Sequence, residues 1–186
     1  MIHLHCTQKL LSKLPIDANG RLPNTQARPL AANDAGESPL SGWHANVLML
    51  QRRNCVLLVH DTTRFPVLLN CLTKPDFAEL DYWFQDGLMN TLLKGGANQA
   101  QLDAAARALT PLQCDATCNR SVQGTLNYMK RELDHLLWYD DLAVTDLSSC
   151  HASLWLAERP CGVKGSKDFI WPLEAMLALL DGLVTR

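Results

Sequence analysis

The stretch WHANVLMLQRRNCVLLVHDTTRFPVLLN, residues Trp43 to Asn70, decides the fold. It contains three apolar runs, Ala45 to Leu50, Cys55 to Val59 and Phe65 to Leu69, separated by polar breaks of turn length. Each run is too short for a stable helix but long enough for a strand. The middle run shows no polar alternation, which is typical of a strand buried on both faces. The stretch therefore predicts an antiparallel meander at the centre of a sheet that other elements cover.

Length and composition place the chain among ordinary globular proteins. Its 186 residues fit one domain with a substantial core. No apolar run approaches the roughly 20 residues that span a bilayer, and the first residues lack the layout of a signal peptide. The seven cysteines are scattered, and several lie in apolar runs, which favours reduced core thiols over disulfides. We expect a soluble, cytoplasmic protein that makes no membrane contact.

Charge is distributed unevenly along the chain. Residues 1–74 carry eight Lys and Arg against four Asp and Glu, whereas residues 75–186 carry nine against fifteen. A polyanion-binding first part is one interpretation, and ordinary solvated faces are the other. The second is favoured because no basic run is long and no aromatic residues interleave with the basic ones.

The segments before the meander predict a strand, a short helix and a long loop. Ile2 to Cys6 has the pattern of a strand, and Thr7 can cap a helix over residues 8–14 that Pro15 ends. Residues 16–42 are rich in Pro, Asn, Ala and Gly without either period, which predicts a loop insertion at the surface.

The segments after the meander are mainly helical. Helices are expected from about Lys74 to Lys94, from Asn98 to Leu109, from Asn119 over five turns, and from Pro172 to about Leu183. Short strands are expected at residues 112–116 and 152–157. Gly124 interrupts the third helix, and we take it to mark the close approach of another backbone. The fold class is thus a single α+β domain, 1–186, with a central, largely antiparallel sheet covered by helices.

Three junctions between elements offer side chains suited to an anion. The most suggestive is Asn119-Arg120-Ser121 at the start of the third helix, where free backbone N–H groups add a partial positive charge. Asn127, two turns along, extends the same polar surface. The alternative is that Asn119 merely caps the helix while Arg120 pairs with a nearby acid.

The other two junctions are weaker alone. Arg64 sits at a turn between strands, from which a sheet can project a charged side chain, although a surface arginine is the simpler interpretation. Gln8 and Lys9 follow the first strand at a helix start. If the three junctions converge, Arg64, Asn119, Arg120, Ser121, Asn127, Gln8 and Lys9 form one anion pocket.

The sequence contains few patterns that indicate a metal site or a catalytic site. His3 and His5 share a strand face, and Cys114 and Cys118 are close in sequence, but none has the paired spacing of a zinc module. His60 and Asp61 are adjacent on a strand and therefore point to opposite faces. No phosphate loop, dinucleotide fingerprint or nucleophile elbow occurs, so no metal or cofactor is expected and catalytic residues stay unassigned.

The five tryptophans are spread along the chain, and core packing explains most of them. Trp138, at the end of the long helix, and Trp171, after a glycine-rich loop, are candidates for an exposed surface that binds a protein partner.

Several motifs in order resemble an uncharacterised bacterial domain family, a domain of unknown function. They include Cys-Thr-Gln-Lys-Leu-Leu at residues 6–11, Gly42-Trp43-His44-Ala45-Asn46, and the central Asn-Arg-Ser-Val-x-Gly-x-x-Asn at residues 119–127. The resemblance covers nearly the whole chain and implies one compact intracellular domain, but no activity, cofactor or catalytic residue. Residues 18–37 are longer here than is typical, and Tyr128 stands where an acid is usual.

These observations favour a small binding or regulatory protein with a polar, partly basic pocket. Its ligand would be a phosphate-bearing molecule or a nucleic-acid segment, or its partner a protein with an acidic patch. The alternatives are an enzyme acting on a nucleotide or phosphorylated substrate, with Arg64 and Arg120 as charge clamps, and a pure protein-interaction module.

Overall fold

The predicted meander forms the antiparallel part of the sheet. The computed structural model describes residues 1–23, 37–162 and 168–185. In it β2 (Trp43–Leu50), β3 (Arg53–His60) and β4 (Pro66–Leu69) pair in sequence. Only Gln51 and Arg52 separate β2 from β3. Both have positive φ angles, 44° and 67°, as a two-residue hairpin turn matching the twist of the strands requires.

Two further strands extend the sheet in parallel. These are β1 (Ile2–Cys6) and β5 (Leu112–Asp115), which give the order β4-β3-β2-β1-β5. The register sets His5 of β1 between His44 of β2 and Asp115 of β5. The sheet is therefore mixed, and its parallel pairs bring together polar residues that are distant in sequence.

Seven helices and a small hairpin make up the remaining regular structure of the described residues. The helices are α1 (Gln8–Leu11), α2 (Lys74–Ala78), α3 (Leu80–Lys94), α4 (Gln99–Ala108), α5 (Arg120–Tyr139), α6 (Ser149–Ala157) and α7 (Pro172–Val184). The hairpin pairs β6 (Cys161–Gly162) with β7 (Phe169–Ile170). The α+β class is confirmed. None of these helices combines the length and the apolar character needed to cross a bilayer.

The sheet separates two apolar cores. Val56 and Leu58 of β3 belong to one core, whereas Leu57 and Val59 belong to the other, so this strand is buried on both faces as predicted. Helix α5 covers the second face with a stripe at helical spacing, Val122, Leu126, Met129, Leu133 and Leu137. Because the stripe is long and regular, it fixes where the first turn of α5 meets the sheet.

The strand predicted at residues 152–157 is wrong, because this segment belongs to helix α6. A short apolar run does not distinguish a strand from a buried helix. The helix begins further upstream, at Ser149, and two of its serines bind the backbone at the end of the edge strand: the Leu68 N–H donates to Ser153 Oγ at 2.8 Å, and the Asn70 N–H donates to Ser149 Oγ at 3.3 Å. Helix α6 thus uses its serines to satisfy the exposed edge of β4.

The long insertion lies partly outside the described residues, which exclude 24–36. Its described flanks pack against the domain, since Arg21 forms an isolated bridge with Gln113 and both Leu22 and Leu40 are buried. The helix predicted over residues 8–14 is shorter and ends at Leu11.

Two glycines in helix interiors have opposite surroundings. A Cβ atom on Gly87 of α3 would lie 2.9 Å from Leu69 Cδ2 and 3.0 Å from Val67 Cγ1, so this glycine allows α3 to approach β4. A Cβ on Gly124 of α5 would meet nothing within 4 Å. The expected close approach of another backbone at Gly124 is therefore wrong.

This contrast predicts stability changes of opposite sign. Gly124→Ala should raise the free energy of unfolding by about 0.5–1 kcal/mol, because alanine is the better helix former. Gly87→Ala should lower it by about 1–2 kcal/mol, because overpacking outweighs the same gain. Chemical denaturation of both variants measures the difference, and a stabilised Gly87→Ala protein would contradict the packing.

Candidate functional site

A network of histidines and aspartates lies on the sheet face beside the start of α5. His5 Nδ1 is 2.8 Å from Asp115 Oδ1, and His44 Nδ1 is 2.6 Å from Asp61 Oδ1. The two pairs meet where His5 Nε2 lies 3.8 Å from Asp61 Oδ2. All four residues derive from strands or strand ends, so the sheet holds them rigidly.

His44 links this network to helix α5. Its side chain is 3% exposed, and its Nε2 accepts a hydrogen bond of 2.7 Å from the Asn119 N–H. Since an accepting Nε2 carries no proton, the ring proton lies on Nδ1 and is donated to Asp61. Asn119 in turn accepts from the Ser121 N–H at 2.9 Å, so the alternative interpretation of this residue, as a helix cap, is confirmed. The first turn of α5 is thereby tied to β2.

The turn between β3 and β4 fixes Arg64. The His60 N–H donates to the Phe65 carbonyl at 2.9 Å, and the Arg64 N–H donates to the His60 carbonyl at 2.9 Å. Thr63 also bonds to His60 Nδ1, at 2.9 Å from its Oγ1. Arg64 adopts a φ of 61°, a left-handed conformation that costs a non-glycine residue on the order of 1 kcal/mol. The closed turn holds the arginine in this conformation.

The guanidinium of Arg64 points inward and meets neutral groups. The residue is 6% exposed. Its Nη1 donates to the Asp61 carbonyl at 2.6 Å and its Nη2 donates to Ser121 Oγ at 3.2 Å, while Nε has no partner among the described residues. No carboxylate of residues 1–23, 37–162 or 168–185 lies within 4.0 Å of its nitrogens.

Burial lowers the pKa of the Arg64 guanidinium, and the Asp61 carboxylate opposes this effect through space. That carboxylate is already engaged by His44, as described above. The positive charge of Arg64 is therefore buried and only partly neutralised, because the Asp61 carboxylate acts on it through space without contacting it.

A cavity of about 570 Å³ opens on the other side of Ser121. Its wall on the helix side consists of Arg120, Ser121, Gly124, Thr125 and Tyr128. Facing them are Pro160 and the β6–β7 hairpin, represented by Cys161, Gly162 and Phe169. Arg120 is exposed at this cavity. Arg64 does not line the cavity, but it donates a hydrogen bond to Ser121, which does.

Titratable groups around the cavity are shifted toward their neutral forms. Burial raises the pKa of the Cys161 thiol to about 11, although nearby Arg64 acts in the opposite direction. Burial and the charge of Glu132 also raise the pKa of Tyr128. At neutral pH both groups are therefore protonated, so neither offers a thiolate or a phenolate as a nucleophile.

Asp115 in the histidine network behaves differently. Burial acts to raise its pKa, but hydrogen bonds from His5 and from the Thr117 N–H outweigh burial and lower the pKa below its usual value. The carboxylate is thus stabilised in its charged form.

Only some of the predicted site residues converge. Arg64 and Ser121 are in direct contact, Arg120 borders the same cavity, and Asn119 caps the helix between them and the sheet. Three other predicted residues do not line this cavity: Asn127, Gln8 and Lys9, all of which are exposed. Their ligand-binding role stays a prediction.

The sequence interpretation missed His5, His44, Asp61 and Asp115 as a connected group. Two features of the sequence pointed to it: His3 and His5 are two residues apart and so lie on the same strand face, and His44 lies near the start of the central strand. The pairing of His5 with Asp115 depends on the parallel alignment of β1 with β5, which no local pattern indicates. Among the described residues, no group of three or more His, Cys, Asp or Glu is arranged to hold a metal ion.

The tryptophans proposed as partner contacts are both exposed. Trp138 is 77% exposed beside Tyr139 at the end of α5, and Trp171 is 48% exposed before α7. A protein partner at either residue stays a prediction.

Comparison with known proteins identifies a family. A family model described as a domain of unknown function (DUF6933) matches residues 3–175. No curated protein and no solved structure matches the chain.

His60, which closes the turn carrying Arg64, predicts a pH-dependent stability. Burial lowers its pKa from 6.5 to about 4, with Asp61 opposing the shift. Below pH 6.5 the unfolded chain gains a proton that the folded protein does not bind, so stability should fall by about 3 kcal/mol between pH 6.5 and 4.

Urea unfolding at several pH values measures this slope. His60→Asn keeps an acceptor for Thr63 but cannot titrate, so it should flatten the slope in that window whatever its absolute stability. His151→Asn, which changes an exposed histidine, is the control and should keep the wild-type slope. An unchanged slope in His60→Asn would contradict the assignment.

Proposed function

The chain belongs to this DUF6933 family, and we propose that it is a small binding protein whose pocket takes the phosphate of a small ligand. The phosphate lies at the Ser121 edge of the cavity, within reach of Arg64 and Arg120. The proposal is carried by the buried guanidinium of Arg64, which lacks a carboxylate partner among the described residues.

A buried charge without a direct counter-ion is costly, because desolvation disfavours the ion and the through-space attraction of Asp61 recovers only part of the loss. An anion bound beside Ser121 supplies the missing charge in a setting where water is partly excluded and Coulomb attraction is strong. The Nε of Arg64, which is buried without a partner among the described residues, leaves part of the hydrogen-bonding capacity of the guanidinium unused. The same feature that destabilises the empty protein therefore gives affinity for an anion.

Helix α5 adds a second contribution. It is 20 residues long and begins at Arg120, so the positive end of its dipole lies near the Arg120 and Ser121 end of the cavity, which runs along the side of the helix. Its cap is oriented by His44 and its first turn also carries the guanidinium of Arg120. Arginine suits a phosphate because its planar fork donates two parallel hydrogen bonds.

The alternatives that the sequence left open fit less well. A volume of about 570 Å³ lies within the range of pockets that enclose a small molecule, which favours one over a nucleic-acid strand or an acidic protein surface. An enzyme acting at this cavity needs a lining group poised to exchange protons or attack near neutral pH, and Cys161 and Tyr128, whose pKa values are raised, are not suited to that role.

Replacement of Arg64 by methionine separates stability from binding. Inorganic phosphate should raise the melting temperature of the wild-type protein relative to chloride at equal ionic strength. Arg64→Met should abolish this response. Without phosphate its stability should equal or exceed that of the wild type, because a well-packed apolar side chain often replaces a buried charge at no cost.

Arg131→Met on the exposed side of α5 is the matched control and should keep the phosphate response. Arg120→Met removes only an exposed cation and should weaken phosphate binding several-fold, which provides a test that does not depend on the folding of Arg64→Met. Equal phosphate responses in all four proteins would end the proposal.

A further inference from the structure

The cavity beside Ser121 is larger than a phosphate needs, and its remaining walls have a different chemistry. Away from Arg120 and Ser121 it is bordered by bare glycine backbone and by two aromatic rings. Tyr128 comes from α5, and Phe169 comes from the facing strand β7. The part of the cavity beyond the proposed phosphate position is therefore suited to a flat, apolar group.

Gly124 has no packing reason to be glycine. A Cβ there would meet no atom within 4 Å, although glycine in a helix interior is less favourable than alanine. Across the cavity, a Cβ on Gly162 would have Phe169 Cε1, at 3.9 Å, as its nearest atom. Gly124 leaves backbone surface uncovered on the helix wall, where a planar ring can approach closely, and Gly162 leaves room for the Phe169 ring on the opposite wall.

Phe169 presents apolar surface to the cavity and to solvent. The residue is 65% exposed, and its strand neighbour across the hairpin, Gly162, has no side chain that could cover it. An aromatic ring stacked on Phe169 or Tyr128 would recover this surface, and offset stacking adds attraction beyond burial. The Arg120 guanidinium on the same wall can also stack on an aromatic face.

We propose that the ligand is an aromatic phosphomonoester of the size of a nucleoside monophosphate. Its ring lies on Gly124 between Tyr128 and Phe169, and its phosphate lies at Ser121 near Arg64. This inference rests on the proposed function, because the phosphate anchor is the same. It adds that the ring, and not the anion alone, determines affinity.

Isothermal titration of the wild-type protein with four probes tests the inference. The probes are AMP, ribose 5-phosphate, inorganic phosphate and adenosine. AMP should bind at least about tenfold more tightly than ribose 5-phosphate or inorganic phosphate, the increment expected for one good stacking contact. Adenosine, which lacks the anion, should bind more weakly than AMP.

Gly124→Leu fills the ring position on α5, one helical turn from Ser121. It should reduce AMP affinity to that of ribose 5-phosphate and should have a smaller effect on the affinity for inorganic phosphate. The matched control is Gly182→Leu in α7, where a Cβ also meets nothing within 4 Å, and it should bind all probes as the wild type does. Because neither glycine contacts other atoms at its Cβ position, both variants are expected to fold.

The outcomes separate the two proposals. Failure of every phosphate probe to bind would overturn the proposed function and this inference together. Binding of inorganic phosphate with equal affinities for AMP and ribose 5-phosphate would overturn the inference alone, as would an unchanged AMP affinity in Gly124→Leu. Tighter binding of a single-stranded oligonucleotide than of AMP would also overturn it, because the site would then accept a polymer and not a monoester.

Discussion

The contact between Arg64 Nη2 and Ser121 Oγ, at 3.2 Å, joins the two halves of the site. It links the turn after β3 to the first turn of α5, across 57 residues of sequence. The donor is a buried cation and the acceptor is a neutral hydroxyl, so the contact satisfies a hydrogen bond without neutralising a charge. Both the cavity and its proposed preference for an anion depend on this imbalance.

The sheet makes that arrangement rigid. Asp61 contributes its carbonyl to Arg64 and its carboxylate to His44, and His44 accepts from the cap of α5. A displacement of α5 would therefore break hydrogen bonds to the central strand as well as to the turn. Polar groups held on both sides by strands and a long helix are already oriented before a ligand arrives, which reduces the entropic cost of binding.

Local patterns predicted most of the fold. The meander, the capped helices α4 and α5 and the apolar stripe of α5 all have periodicities that extend over several residues, and each is present. Helix α6 was predicted as a strand because its run over residues 152–157 is short and apolar except for Ser153, and its amphipathic character is absent. The serines of this helix accept hydrogen bonds from the backbone of Leu68 in β4 and of Asn70 just after it, contacts that no local pattern indicates.

Part of the site was also predictable from local sequence patterns. Asn119 and Ser121 belong to a helix-start pattern that local sequence indicates, and Arg64 belongs to a turn. The contact between Arg64 and Ser121 depends on how α5 lies across β2 and β3. That position is set by the packing of the whole apolar core between α5 and the sheet. The role of Gly124 was misjudged because sequence reveals a missing side chain but not whether the space beside it is filled. The histidine network requires the strand order β2-β1-β5, which is a property of the assembled sheet.

The central claim is that a bound anion neutralises the buried charge of Arg64. Nitrogen-15 NMR of the arginine side chains during titration with inorganic phosphate tests it most directly, since the Nε resonance of Arg64 reports on a guanidinium nitrogen that has no partner among the described residues. The account predicts that the Arg64 Nε signal moves and saturates, while that of Arg131 follows only the change in ionic strength. An Arg64 signal that stays fixed throughout the titration, or that already reports a carboxylate contact without phosphate, would contradict it.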